Sequence, residues 1–564
     1  MIRVIKTKAK TFLWAIPLLF LAIFFFYPLS ATFYSALQTA LDRGTQFFQW
    51  SRIGQSLWFT FWQAGVSTLL TFFIGMPAAY LFAKFKFPGK SLLRTLTTIP
   101  FIMPTVVVAV SFNALLGPNG WLNTFLMGAF HLASPPINIL NTIGAILLAH
   151  VFYNTSVVIR VVGTAWSQLD TRMEQAARVL GASPLKVLRE ITLPLLKPSV
   201  IAALLLVFLF DFTSFAVILL LGGPKYATLE VEIYIQALQM LNLPMAAILS
   251  AIQLVCTLAL TVTYSKMSGT KNVPLIPKFH NESERRPHKS GEIIFVGVMV
   301  ILLLAMFVLP LFSPIVGSLN KQSADRGERG EVQTGWTLSY YQELFINRRQ
   351  SLFYVPPIAA IKNSLVYAGE TVGISLLLGV IAADALAKSG KTGRVFDSIL
   401  MIPLGTSAVT LGLGFVLVFN RPPLDVRTFP ALIPIAHSLV ALPFVVRILK
   451  PAISSIPVSL RQAASILGAS PLRVWLEVDF PIILRSVIAA AIFAFTISLG
   501  EFGATTFLAR PEYPTIPIAI YRYMSQPGAM NYGQAMAMST ILLVTCTGGI
   551  ILVERLRLPG NAEF

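Results

Sequence analysis

Runs of about twenty apolar residues recur from one end of this chain to the other, separated by short polar stretches rich in Lys, Arg, Gly and Pro. FLWAIPLLFLAIFFFYPLSA from Phe12 and SAIQLVCTLALTVTY from Ser250 are representative. A helix of that length crosses the hydrocarbon core of a bilayer. Twelve spans are predicted, near residues 12–34, 57–83, 96–116, 143–163, 198–221 and 244–265, then 293–317, 364–387, 396–419, 431–449, 485–508 and 537–553. Prolines and glycines interrupt the third, ninth and tenth. The basic leader and long apolar run at the N-terminus carry no clear small-x-small cleavage site, so this segment is expected to remain as span one.

Basic residues orient the spans, because cytoplasmic loops are enriched in Lys and Arg. Arg3, Lys6, Lys8 and Lys10 place the N-terminus inside; Lys84, Lys86, Lys90 and Arg94 follow span two, and Lys388, Lys391 and Arg394 follow span eight. The loop at 117–142, expected outside, has neither Lys nor Arg. Both termini are therefore expected in the cytoplasm.

The stretch GASPLKVLRE from Gly181 returns as GASPLRVWLE from Gly468, 287 residues later. The offset also pairs His150 with His437, Arg160 with Arg447, Pro194 with Pro481, Thr228 with Thr515 and Tyr234 with Tyr521. Upstream it drifts: Ala83-Lys84 aligns with Ala387-Lys388 and Pro100 with Pro403. Six spans per copy give the halves the same orientation, as parallel repeats about an axis along the membrane normal. Residues 1–265 form the first half, 266–292 a polar cytoplasmic linker, and 293–564 the second half.

Each repeated segment falls between the fourth and fifth spans of its half, at about 166–197 and 453–484, on the cytoplasmic side. Thr171 with Glu174 suggests a capping box opening a short helix, and Gly181 suits the left-handed residue that ends it. Ser183 and Pro184 then open a second short helix, which Pro194 is expected to close. Ser459 with Gln462, Gly468, Ser470-Pro471 and Pro481 repeat this grammar. Two angled helices presenting small residues and a shallow apolar edge fit a groove on another protein.

The pattern Gln175-Ala176-Ala177, Gly181, Ala182, Ser183, Pro184, Leu185 and its copy Gln462-Ala463-Ala464, Gly468, Ala469, Ser470, Pro471, Leu472 resembles the EAA loop of permease subunits in binding-protein-dependent ABC importers. The resemblance implies an all-α membrane protein with two parallel six-helix, MetI-like repeats. It also implies an ABC ATPase homodimer docked on both loops, an extracytoplasmic solute-binding protein, and a place in a prokaryotic inner membrane. The motif acid is present as Glu174 in the first copy, but Arg461 replaces it in the second. Two fused halves look like thiamine and ferric-iron permeases, while LGEFGATTFLA from Leu499 also resembles molybdate and sulfate permeases. Cargo stays open among these, and an ion-gradient transporter is the alternative from another class.

Composition agrees with this class. The chain is 55% apolar and 12% charged, against about 25% charged in globular proteins. The net charge of +19 sits mostly in loops beside the spans, so nucleic acid is not expected as a partner. No G-x-x-x-x-G-K-[ST] stretch is present, which places ATP and Mg on a separate ATPase; this chain is expected to bind no cofactor and catalyse no bond chemistry. Charges inside spans are costly and usually face a cavity or a partner. Asp211 and Glu501 are such charges; at the 287 offset Asp211 matches Ser498 and Glu501 matches Ser214. Residues three apart share a helical face, so Asp211, Ser214, Phe215, Ser498, Glu501 and Phe502 are candidate linings of a polar pathway, with structural carboxylates as the competing reading. His150 and His437 are expected to be structural, near the inner helix ends, with no metal site.

Overall fold

The computed structural model describes residues 14–44, 49–223, 225–268, 284–321, 335–346, 355–388, 391–426 and 428–556. The predicted linker and the basic N-terminus fall largely outside them. Apart from two hairpins of two-residue strands, Asn320–Lys321 with Gly335–Trp336 and Asn420–Arg421 with Leu424–Asp425, the described regular structure is helical. Among the described residues, eleven helices are long and apolar enough to cross a membrane: Trp14–Asp42, Trp50–Lys84, Thr105–Phe130, Ile143–Ser167, Pro184–Phe212, Leu243–Tyr264, Ser290–Leu319, Pro357–Ala387, Leu432–Ser454, Pro471–Gly500 and Ala529–Val553. A twelfth, span nine, is the pair Val395–Gly405 and Ala408–Val418, bent by 94°.

Several predicted boundaries change. Span three breaks inside the predicted 96–116: Lys90–Ile102 stops at Met103, extended ahead of Pro104, and a new helix starts at Thr105. Span nine breaks at the matching place, Thr406–Ser407. Pro194 and Pro481 do not end the elbow helices. A single wide turn, with Leu193 N–H donating to Leu188 O five residues back and Phe480 N–H to Trp475 O, carries each chain past its proline. The elbow thus runs straight into span five or span eleven. Those spans end at Phe212 and Gly500, earlier than predicted, and short helices Ala216–Leu221 and Gly503–Leu508 follow.

Within each half, spans two and four (or eight and ten) cross with little between them. A Cβ on Gly75 would stand 2.6 Å from Val158 Cβ, and one on Gly379 would stand 2.4 Å from Val445 Cγ1. Small residues at crossings let membrane helices approach closely.

The first span of each half packs on the last span of its own half and also reaches the other half. Trp14 and Phe24 of span one meet Phe396 and Phe419, with ring centroids 4.5 and 5.8 Å apart. Phe307 and Phe295 of span seven meet Phe152 and Tyr80, both at 5.8 Å. The boundary near residue 265 divides the sequence repeat, but each half's first helix also enters its neighbour's core.

Candidate functional site

Each elbow is built from local caps. Gly181 (φ +84°) and Gly468 (φ +82°) take the left-handed turn after the first short helix. Around them Gly181 N–H donates to Arg178 O and Ala182 N–H to Ala177 O, both at 3.0 Å. The copy repeats this with Gly468 to Ser465 (3.1 Å) and Ala469 to Ala464 (3.0 Å). Ser183 and Ser470 then cap the next turn, accepting from Lys186 N–H and Arg473 N–H, each at 3.3 Å.

The start of the first helix differs from expectation in both copies. Helix Thr171–Val179 is capped by Asp170, which accepts from Arg172 N–H at 2.9 Å. Glu174 turns instead to Lys84 Nζ at the end of span two (2.8 Å), and accepts from the Thr192 hydroxyl (3.1 Å). A charge-assisted bond to an ammonium is stronger than one to a backbone amide, and Asp170 frees Glu174 to make it. In the copy, helix Val458–Ile466 starts at Pro457, which puts Ser459 inside the first turn rather than at its cap. Arg461, at the position of Glu174, donates to Asp479, at the position of Thr192, over 2.8 Å. Both elbows are thus tied to their own span, with reversed polarity.

No residue of either short first helix is buried. The motif positions Gln175, Ala176, Ala177, Gln462, Ala463 and Ala464 line this free surface, and Leu185 and Leu472 are exposed at the second turn. The most exposed apolar side chains are ones outside the predicted set: Val179 and Leu180 (both 87%), Ile466 (85%) and Leu467 (88%). Their signal in the sequence is a pair of apolar residues directly before the turn glycine.

At the far end of spans five and eleven the two halves meet ring on ring. Phe215 and Phe502, 287 residues apart, stack with centroids 5.4 Å apart and planes at 21°. Phe215 also packs on Tyr234 (5.5 Å) and Phe502 on Tyr521 (5.6 Å), while the Tyr234 and Tyr521 hydroxyls lie 3.1 Å apart. Contacts between residues related by the repeat lie on the axis relating the halves, so these four rings sit on that axis at the end away from the elbows. Their supports are duplicated too. Leu229 N–H donates to Thr60 Oγ1 at 3.0 Å and Ile516 N–H to Ser364 Oγ at 2.8 Å, anchoring the helices that carry the tyrosines.

The other candidate lining residues are gathered within each half around a histidine. Asp211 lies in the last turn of span five and Ser214 beyond its end, so they share no helical face; the break in the helix and His150 bring them together. His150 Nδ1 lies 3.3 Å from Asp211 Oδ1 and 3.0 Å from Ser67 Oγ, while Nε2 lies 2.9 Å from Ser214 Oγ. In half two, His437 Nδ1 lies 2.7 Å from Ser498 Oγ, and Nε2 lies 3.3 Å from Glu501 Oε2 and 2.7 Å from Thr505 Oγ1. Acid and hydroxyl have exchanged places about the same imidazole. Glu501 also caps helix Gly503–Leu508, accepting from Ala504 and Thr505 N–H at 2.9 and 3.0 Å. Both histidines are buried about a third or less of the way along their spans, at the end away from the elbows rather than near it as expected.

Residues 72–265 and 375–556 each match the family described as binding-protein-dependent transport system inner membrane component. The chain belongs to this family. It is an ABC importer permease with two permease repeats in one polypeptide. It is 27% identical over 518 residues to the thiamine transport system permease protein ThiP of Escherichia coli K12, covering 89% of this chain and 88% of that protein. ThiP of Brucella abortus is 25% identical over 500 residues (88% and 86%). A probable ABC transporter permease protein, y4fN of Sinorhizobium fredii, is 25% identical over 550 residues (94% of each).

One carboxylate of the permease joins the halves. Glu230 is buried one turn before Tyr234 on the same helix, hence on the face that reaches the axis. It accepts from Gln253 Nε2 of its own half (3.1 Å) and from Ser407 Oγ of the other half (2.7 Å). Ser407 is also the cap of helix Ala408–Val418, at the break in span nine. The counterparts of Glu230 and Ser407 are Pro517 and Pro104, so the seam carries this acid on one side only. Sequence reading missed Glu230; its one signal was an acid pair, Glu230 and Glu232, inside the repeated stretch that ends in Tyr234.

The permease also fastens the end of its linker to half one. Arg285 pairs with the span-two end through Lys86 N–H to Arg285 O (2.9 Å) and Arg285 N–H to Lys84 O (3.0 Å), and Lys90 Nζ lies 2.9 Å from Glu284. The Arg285 guanidinium then bonds Glu292 at the start of span seven, at 2.6 and 2.9 Å. Burial pushes the Lys90 ammonium below its usual range, opposed by Glu284.

Proposed function

We propose that this permease imports a small organic cation of the thiamine type, delivered by a solute-binding protein and driven by a separate ATPase homodimer docked on the two elbows. Both termini and both elbows lie in the cytoplasm in this reading, and ATP and Mg belong to the partner. The observation that carries it is continuity: each elbow is the first turn of the helix that ends at the aromatic seal. Pro184–Phe212 holds 29 residues and Pro471–Gly500 holds 30, rods of roughly 45 Å at 1.5 Å per residue. An ATPase dimer that closes on ATP draws the elbows together. The rods then tilt, and Phe215 separates from Phe502 at their other ends. The elbow links Glu174–Lys84 and Arg461–Asp479 keep each rod from bending at its base.

Apolar tips at Leu180 and Leu467, on an otherwise polar turn, support a protein partner at the elbows. Glu230 supports a cationic cargo. When the halves part, Ser407 leaves with its own half and uncovers a carboxylate beside the axis, in a low-dielectric seam where a cation gains most.

Proteoliposomes containing the permease, its ATPase and the neighbouring binding protein test this reading. ATP-dependent uptake of labelled thiamine is expected, abolished when both elbows are replaced by Gly-Ser loops. Uptake of ferric iron or of sulfate or molybdate instead would replace the cargo and keep the machine. Uptake that needs an ion gradient and no ATP would overturn both.

A further inference from the structure

Asp211 has a carboxylate answered on one oxygen only. Three groups crowd Oδ1: Asn154 Nδ2 at 2.7 Å, His150 Nδ1 at 3.3 Å and the Tyr153 hydroxyl at 3.5 Å. Oδ2 has no partner, although the residue is wholly buried. Two neutral oxygens beside it share that condition. Asn154 Oδ1 and Gln63 Oε1 are buried without a partner, and each lies across an amide group from a nitrogen held on Asp211. Asn154 Nδ2 holds the carboxylate, and Gln63 Nε2 holds the Asp211 carbonyl at 2.8 Å. Spans two, four and five therefore meet through Asp211, and each brings an acceptor that finds no donor. Buried polar groups are seldom left so, and a buried charge less often still.

The second half shows how the same corner looks when it is satisfied. Ser498 stands for Asp211, Ala441 for Asn154 and Tyr367 for Gln63, removing all three acceptors. The acid of that half, Glu501, has both oxygens bonded to backbone N–H groups. At this corner the unanswered oxygens are confined to half one.

We infer that Asp211, Asn154 and Gln63 of half one form a buried site for a monovalent metal cation, sodium, held between spans two, four and five. Oxygen donors select a hard cation. One carboxylate and two carbonyl oxygens neutralise one positive charge, whereas calcium is held by more ligands and usually more carboxylates. Full enclosure suits a bare ion rather than an organic cargo. The site lies four residues from Phe215, so the ion would fix the end of the rod that carries the seal. This goes beyond the proposed cargo and does not depend on it.

Purified full-length permease in lipid nanodiscs tests the site through equilibrium binding of radioactive sodium and thermal unfolding in NaCl against choline chloride at equal ionic strength. About one sodium per chain is expected, with a raised midpoint in NaCl that lithium or potassium reproduces less well. Asp211→Asn should abolish binding, while Glu501→Gln leaves it intact. Should Asp211→Asn fail to fold, Gln63→Leu should weaken sodium binding at least tenfold. No sodium binding, or binding that survives the Asp211 and Gln63 changes, would overturn the inference and leave a proton on Asp211, shared with an amide oxygen, as the occupant.

Discussion

Arg461→Glu would set two carboxylates against each other where half two now has an ion pair. Arg461 Nε lies 2.8 Å from Asp479 Oδ1, and the Asp479 side chain is only 6% exposed against 21% for Arg461. Removing one partner of a fully buried pair costs about 3–5 kcal/mol. Two like charges 4 Å apart near a surface repel by about 4 kcal/mol at an effective dielectric of 20. Water reaching position 461 and protonation of one acid relieve part of this, so a net loss of about 2–4 kcal/mol is expected. Half one supplies the remedy, because there Glu174 stands opposite Thr192 with Lys84 beside it. Lys388 occupies the position of Lys84 in half two, where it bonds Asp384 at 2.7 Å and would turn from it to the new carboxylate. The double change Arg461→Glu with Asp479→Thr therefore rebuilds the first elbow's arrangement in the second. It should recover stability to within about 1 kcal/mol of the parent, the ordinary scale of a partly exposed charge pair. Thermal unfolding of the full chain in nanodiscs, with co-purification of the ATPase as a second readout, measures both. A single variant as stable as the parent, or a double variant no better than the single, would refute the view that these pairs are interchangeable elbow ties.

Leu180→Asp with Leu467→Asp changes two nearly fully exposed tips, so fold stability should stay within about 0.5 kcal/mol while ATPase co-purification is lost. Phe215→Ala with Phe502→Ala removes the stacked pair on the axis, and cargo-loaded vesicles should then leak without ATP; vesicles as tight as those with the parent would count against the seal.

What could be read from the sequence was what the chain decides locally or twice. The elbow turns follow from Gly181, Ser183-Pro184 and their copies, since a left-handed glycine and a serine cap act over two to five residues. Phe215 and Phe502 stood out because the repeat set them at matching positions. The misreadings arose where a distant residue outcompeted a near one. Glu174 was expected to bond its own helix start, but Lys84, ninety residues earlier, draws it away. Pro194 was expected to end a helix, and one wide turn removes its clash. The His150–Asp211 and His437–Glu501 groupings join separate spans, and no spacing in one strand of sequence announces them. Glu230 lies at a seam whose other wall, Ser407, is 177 residues away.

The reach of each first span into the other half bears on how the permease is assembled and in what proportion. Span one packs on span six of its own half and completes its packing on spans nine and ten, made almost four hundred residues later. Two copies of the first half could offer each other the same grip, giving a symmetric pair that lacks Arg461 and Ser407. Joining the halves in one polypeptide guarantees one of each and keeps the correct partner at high local concentration. The fused chain thereby excludes the like-with-like pairs that separately made halves could form, and preserves the unequal elbows and the one-sided acid of the seam.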